Sequence, residues 1–147
     1  MRESIGMTAL LNVVIVFLVI TFGFLAATLT YMHGFKSSSR VVNALERFEG
    51  YNTLSIAEIN NVLTTIGYTQ KGGSSGCSTT KYGSNAELKE FDGYRVCIYE
   101  ISDTDKKKGR YFRYKVVTYA NIDIPIMSQT FKIPIVATSD RIFDFND

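Results

Sequence analysis

The sequence predicts an α+β protein: an N-terminal transmembrane helix with a helical extension, followed by a small antiparallel β-sheet domain. Three observations carry that prediction. The run Met7–Met32 contains no charged side chain and is dense in Val, Ile, Leu and Phe. A stretch with helical periodicity follows it, and the last third of the chain alternates aromatic and β-branched residues in strand fashion. The expected organisation is a short leader at 1–6, a membrane helix at 7–32, a helical extension with a short packed helix at 33–68, and a fastened loop with the sheet at 69–147.

The apolar run extends roughly 39 Å at the helical rise, enough to cross a hydrocarbon core of about 30 Å with some tilt. The apolar part of a signal peptide is shorter, about 7–15 residues, and ends at small residues of the A-x-A kind. Here the run is followed by His33, Gly34, Phe35 and Lys36, so an uncleaved anchor in the lipid bilayer is the preferred reading. Polar residues within the run are mild. Gly23 and Ala27 form a small-xxx-small pair on one face, and Asn12 lies near the same side. Small residues let helices approach closely in lipid, and an Asn can hydrogen-bond across the contact. These three are the candidate helix-packing positions, although a solitary anchor also carries such residues.

After the run, Ser37–Ser39 lead into a stretch in which Val41, Val42, Leu45 and Phe48 recur on one face, with Gly50 placed to end it. Gly34 and the serines either kink the path or lie within one continuous helix, since glycine inside a helix costs only about 1 kcal/mol. A second helix is expected from Leu54. Ser55 and Glu58 have the spacing of a capping box, and Leu54 and Ile59 that of a hydrophobic staple. Ile56, Ile59, Val62, Leu63 and Ile66 form an apolar stripe before Gly67, and this helix is expected to lie on a sheet.

The segment Thr69–Asn85 is rich in Gly, Ser, Thr and Lys. A long loop in a small domain is usually fastened or functional, and Cys77 is the candidate fastener. Its partner is Cys97, inside an expected strand. On the outer side of a membrane such a pair oxidises, and closing a loop of that size is worth roughly 3 kcal/mol; two unrelated thiols in a cytosolic domain are the other reading. Strands are expected at Tyr94–Ile101 and Tyr111–Ala120, joined by a hairpin at Ser102–Arg110. In the second, Phe112, Tyr114, Val116 and Thr118 share one face, and Tyr111, Arg113, Lys115 and Val117 share a partly solvated one. Ile122–Ile126 and Phe131–Ala137 each contain Ile-Pro-Ile, which favours edge or irregular strands because proline lacks a ladder donor. A last strand is expected from Arg141 to Phe145.

Composition bears on function mainly by what it lacks. The net charge is +2, and the dense basic run Lys106–Lys108 with Arg110, flanked by Asp103 and Asp105, suits a solvated hairpin tip better than a nucleic-acid surface. His33 is the single histidine, it sits at the edge of the apolar run, and neither cysteine has a histidine in sequence proximity to activate it. The acidic residues Glu87, Glu90, Asp92 and Glu100 read as strand-end and loop charges, and Asp103 and Asp105 lack the other ligands of a calcium loop. Gly72, Gly73 and Gly76 precede no helix as a phosphate loop would. The expectation is therefore no enzyme, no cofactor, no metal site and no small-molecule substrate. Orientation draws on two opposed signals. Arg2 before the run against Lys36, Arg40 and Arg47 after it favours the domain inside, whereas the cysteine pair favours it outside; the outside orientation is preferred.

An N-terminal anchor, a helix continuing beyond it, a loop and an antiparallel sheet with one disulfide is the plan of type IV pilins and pseudopilins, which this chain resembles along its whole length. The segment Tyr114–Phe143, YKVVTYANIDIPIMSQTFKIPIVATSDRIF, is similar to the end of minor pseudopilin-like proteins of the Tad (tight adherence) systems of Gram-positive bacteria. In those, a V-T-Y-like strand leads to D-x-P-I, a short turn, an I-P-I/V strand and a closing aromatic residue. The opening RESIGMTALLNVVIVFLVI resembles their short charged leader running into the apolar helix. The resemblance implies a leader-processing position at Gly6 and Met7. The fifth residue after Gly6 is Leu11, where pilins carry a glutamate, which disfavours the role of major repeating subunit and fits a minor, priming or uncleaved component.

What the resemblance implies is a structural subunit or assembly factor, a minor pilin or pseudopilin, of a type IV or Tad-like pilus or secretion apparatus. Its partners would be other pilin-like subunits or a pilus or secretion platform. It would sit in the cell membrane as a single-pass protein with the C-terminal domain extracellular, and enter a surface filament. The competing expectation is a membrane-tethered extracellular binding or sensor module that captures a ligand on an aromatic face containing Tyr111, Tyr114 and Tyr119.

Overall fold

A computed structural model describes residues 2–66, 77, 82–90, 96–106, 108–123 and 130–143. The element order is α1 (Arg2–Arg47), α2 (Thr53–Ile66), β1 (Ala86–Glu90), β2 (Val96–Asp105), β3 (Gly109–Asp123), β4 (Thr130–Thr138) and β5 (Ile142–Phe143). The predicted α+β class and order of elements hold. The Gly67 stop, most of the Thr69–Asn85 loop, the first residues of the strand expected at Tyr94 and the far ends of those expected at Ile122–Ile126 and Arg141–Phe145 lie outside the described residues.

Helix α1 is continuous over 46 residues, about 69 Å. Gly34 and the serines do not kink it. Gly34, Ser37 and Ser38 are buried, and their small side chains let the helix axis come close to β3 and β4, which it contacts. The Ser38 hydroxyl donates to the Gly34 carbonyl oxygen at 3.0 Å and shares a 2.7 Å hydrogen bond with the Thr118 hydroxyl of β3. The helix ends in a Schellman turn, in which Gly50 N–H donates to the Leu45 carbonyl at 2.8 Å and Glu49 N–H to that of Glu46 at 3.2 Å. The left-handed residue is Glu49, at φ 54°, one position before the expected glycine; Gly50 follows at φ 128°.

The start of α2 differs from expectation. The N-cap is Asn52, whose Oδ1 accepts from Ser55 N–H at 2.9 Å, while Ser55 Oγ accepts from Asn52 N–H at 2.9 Å. Ser55 is thus the second member of the reciprocal pair rather than the first, because Asn52 offers an acceptor three positions earlier. Leu54 is 63% exposed, so it does not staple to the fully buried Ile59. The helix also packs on α1 rather than mainly on the sheet. Its Ile59 and Leu63 join Val41, Val42, Ala44 and Leu45 of α1 and Val96, Ile98, Tyr114 and Val116 of the sheet in one core.

The sheet is antiparallel with order β1-β2-β3-β4, and β5 pairs with β3 in the lane vacated by β4. Pro134 lies on β4, an edge strand, as its missing donor requires. The segment expected as a strand from Ile122 begins as the end of the long β3 instead. Strand β1 adds to the expected elements: Glu90 ends it, a strand-end charge as expected, while Glu87 sits inside it, and charged residues suit an edge strand. The β3 face expected to be partly solvated carries a second small core, in which Cys97, Tyr99 and Val117 are covered by Cys77, Tyr82, Leu88 and Tyr119. Burial on both faces explains why Val96–Tyr99 are buried without alternation. The β2–β3 hairpin closes with Asp105 paired to Gly109, which lies at φ 87°, a backbone angle that favours glycine.

Residues 49 and 50 give opposite expectations. Glu49→Gly relieves a left-handed non-glycine residue and raises stability by about 0.5–1 kcal/mol. Gly50→Ala imposes strain at φ 128° and brings a Cβ to 3.0 Å from the Tyr114 hydroxyl, lowering stability by about 1–3 kcal/mol. Thermal unfolding of the detergent-solubilised chain, followed by circular dichroism, measures both.

Candidate functional site

The N-terminal half of α1 stands away from the rest of the molecule. Every residue from Gly6 to Ala26 is exposed, including Phe17, Phe22 and Phe24 at 66–74%. A helix this apolar on all sides is unfavourable in water, because each large side chain left exposed forgoes roughly 1.5–3 kcal/mol of transfer free energy. Within the helix, the Thr21, Thr28 and Thr30 hydroxyls donate to the carbonyls four residues earlier at 2.8, 2.8 and 2.9 Å. Their polar atoms are thereby satisfied internally, which an apolar surrounding demands.

Of the sequence-derived packing positions, Asn12 and Gly23 are exposed and Ala27 is half-buried. A Cβ added at Gly23 or at Gly6 would meet nothing within 4 Å. The small side of the helix at Gly23 is therefore open to another helix. Met7 is 78% exposed. Thus, among the described residues, none of these positions is buried, and Ala27 alone is half-covered.

The cysteines meet as expected. Cys77 and Cys97 form a disulfide with a Cα–Cα distance of 5.7 Å. It ties Cys77 to the sheet face opposite α1, where Tyr82 packs edge-on against Tyr99 at 4.8 Å and Lys115 Nζ lies 4.7 Å from the Tyr82 ring.

The aromatic face proposed for ligand capture does not form. Tyr114 points to the α1 side and is 2% exposed, whereas Tyr111 lies on the other face and is 9% exposed. Tyr114 is instead the centre of a buried junction that the sequence did not reveal. Its hydroxyl donates to Glu100 Oε2 at 2.7 Å and accepts from Tyr51 N–H at 3.1 Å. Glu100 lies directly opposite Tyr114 in the β2–β3 register, and Gly50 leaves room for the ring hydroxyl. One side chain so joins β2, β3 and the turn after α1. Burial first, then the bond to Glu100, raises the Tyr114 pKa well above the usual tyrosine value. A second such tie runs from Glu46 Oε1, which accepts from Asp140 N–H at 2.8 Å.

Among the described residues, no group of three or more His, Cys, Asp or Glu side chains gathers where it could hold a metal. His33 is exposed at the end of the apolar run. Lys108 and Arg110, at the hairpin tip, lie 5.7 and 5.1 Å from the rings of Phe143 and Phe112. The sum is a pilin-like architecture: a long apolar N-terminal helix, bare over its first half and seated on an antiparallel sheet over its second. Comparison with protein-family models, with curated proteins and with solved structures finds no match for this chain.

Tyr114→Phe leaves Glu100 and the Tyr51 N–H without their buried partner and costs about 1–3 kcal/mol. The raised pKa also sets a pH dependence. The folded state holds the proton more tightly than the unfolded state, so the contribution is complete below about pH 10 and declines as pH rises above it. Urea unfolding between pH 8 and 11 should show wild-type stability falling at the alkaline end more steeply than that of Tyr114→Phe.

Proposed function

We propose that the chain is a structural subunit or assembly factor, a minor pilin or pseudopilin, of a type IV or Tad-like pilus or secretion apparatus. The observation that carries this reading is the division of α1: a bare apolar half joined rigidly to a half that holds a sheet. In a membrane the bare half is satisfied by lipid, and the chain waits as a single-pass protein. The disulfide favours a compartment outside the cytosol for the domain. In an assembly, the same surface is satisfied by the apolar helices of neighbours, with burial worth about 25 cal/mol per Å² when the helix would otherwise meet water. Lipid and neighbour are thus alternative solvents for one surface, which is what a subunit stored in a membrane and drawn into a filament requires.

Asn12 and Gly23 fit this role. Both are exposed on the bare half. The gap at Gly23 admits the ridge of another helix, and the Asn12 amide gains a partner only when a second polar group approaches it within the lipid. Leu11, standing where pilins carry a glutamate, suits a component present in few copies.

A photo-activatable residue in place of Phe17 tests the proposal in cells that build such an apparatus. The expected result is cross-linking to other helix-anchored subunits, reduced severalfold by Gly23→Ile. If the chain cross-links to lipid alone and stays monomeric while the apparatus assembles, the assignment is wrong.

A further inference from the structure

We propose that the end of the sheet where β3 leaves for β4 rests on the phospholipid headgroups, so that the domain touches the membrane at a second place beside its helix. The proposal rests on the reading of α1 as a membrane anchor. Its basis is the level at which the domain begins to cover the helix.

Helix α1 runs antiparallel to β3: Ser38 meets Thr118, and the turn at Tyr51 meets Tyr114. Moving toward the N-terminus of α1 therefore means moving toward the C-terminal end of β3. Ala120 and its partner Ile133 lie about 7 Å beyond Thr118 in that direction, roughly level with Gly34. Asp123, paired with Thr130, lies about 16 Å beyond Thr118, the rise of about 11 helical residues, which brings it near Ala27. Burial on the helix agrees. Ala27 and Thr30 are half-buried, whereas Gly6–Ala26 are all exposed.

The sequence-defined apolar run is thus shared between two surroundings. A hydrocarbon core about 30 Å thick takes about 20 residues, the length of Met7–Ala26. The remaining turns, up to Met32, are the ones the sheet begins to cover. With Met7–Ala26 filling the hydrocarbon, the β3–β4 end of the sheet lies at its boundary and cannot stand clear of the headgroups.

The side chains at this level have the chemistry of that layer. Tyr31 and Phe35 are 48% and 52% exposed, and aromatic side chains concentrate at membrane interfaces. Ile133, on the helix side of β4, is 38% exposed. Lys36 and Lys132 are exposed at the same end, and their flexible stems allow the ammonium groups to reach phosphate. The two cations lie on different elements, one on the helix and one on the edge strand. The headgroup layer is thus met by both, and the domain is held at a fixed tilt instead of swinging about the anchor.

The chain contains no tryptophan, so a single introduced one reports depth. The full chain is placed in phosphatidylcholine vesicles with and without lipids brominated on the acyl chain, and with and without lipids carrying a nitroxide quencher on the headgroup, and variants are checked for an intact disulfide. Phe24→Trp, within the anchor, reports by quenching from the brominated lipid whether the helix is inserted. Ile133→Trp is expected to lose emission to the headgroup nitroxide, and Thr138→Trp, at the far end of β4, to keep it. Lys132→Trp provides a second reporter at the same level should Ile133→Trp fail to form the disulfide. Quenching at Phe24 with none at residues 132 and 133 overturns the second contact and leaves the anchor standing. Equal quenching at Thr138 and Ile133 overturns the placement as well, and absence of quenching at Phe24 overturns the anchor itself.

Discussion

Close approach of α1 to β3, at Gly34, Ser37 and Ser38, is the constraint from which the rest of the architecture follows. These residues are small enough for helix backbone and sheet to come near, and the Ser38–Thr118 bond sets their register. Ser37 is fully buried, and its hydroxyl has no hydrogen-bond partner among the described residues. An unsatisfied buried hydroxyl costs about 1–3 kcal/mol, a penalty that the helix–sheet seat carries at this position. Once the helix is fixed at this point, its N-terminal half has to project, because no other part of the described chain reaches it.

The two faces of the sheet are then closed by different means. On the α1 side, a continuous apolar core joins both helices to β2 and β3, with Tyr114 tying the turn after α1 to Glu100. On the other side no helix packs among the described residues, and the cover is Cys77, Tyr82, Leu88 and Tyr119. A disulfide closing so short a loop contributes roughly 3 kcal/mol by restricting the unfolded chain, a meaningful share for a domain whose second core consists of a few side chains. The rigid seat transmits position from the sheet to the projecting helix. That rigidity is what the proposed assembly role needs, since the contacts of the domain with its neighbours then fix where its helix lies.

Much of this was legible in the sequence because the signals were long. The apolar run, the 3.6-residue recurrence of Val41, Val42 and Leu45, and the alternation along β3 each draw on many residues. The cysteine pair was legible as well, one cysteine in a Gly/Ser-rich segment and the other in an expected strand. Short-range signals misled. Ser55 and Glu58 match a capping box, but Asn52 competes for the same donor and wins. Gly50 does help to end α1, but the residue at φ 54° in the terminating turn is Glu49, which no local pattern marks. Strand β1 escaped notice because Ala86–Glu90 has the composition of an edge, charged and with little β-propensity. The Tyr114–Glu100–Tyr51 junction joins residues that only the register brings together, and no local pattern announces it. Nor could periodicity reveal that Ala27 and Thr30 alone in the last turns of the apolar run are half-buried, since an all-round apolar helix has no face to read.

The account depends on α1 being one unbroken rod through Gly34. Spin labels introduced as non-natural amino acids at Val13 and Asn43, both exposed, leave the disulfide intact and bracket the glycine and the serines. Pulsed electron–electron distance measurement on the full chain in lipid bilayers should give a single narrow distribution centred near about 45 Å, the rise of an uninterrupted helix. A broad or markedly shorter distribution would show that the apolar half hinges away from the sheet-bound half, and would contradict the rigid coupling on which the assembly role rests.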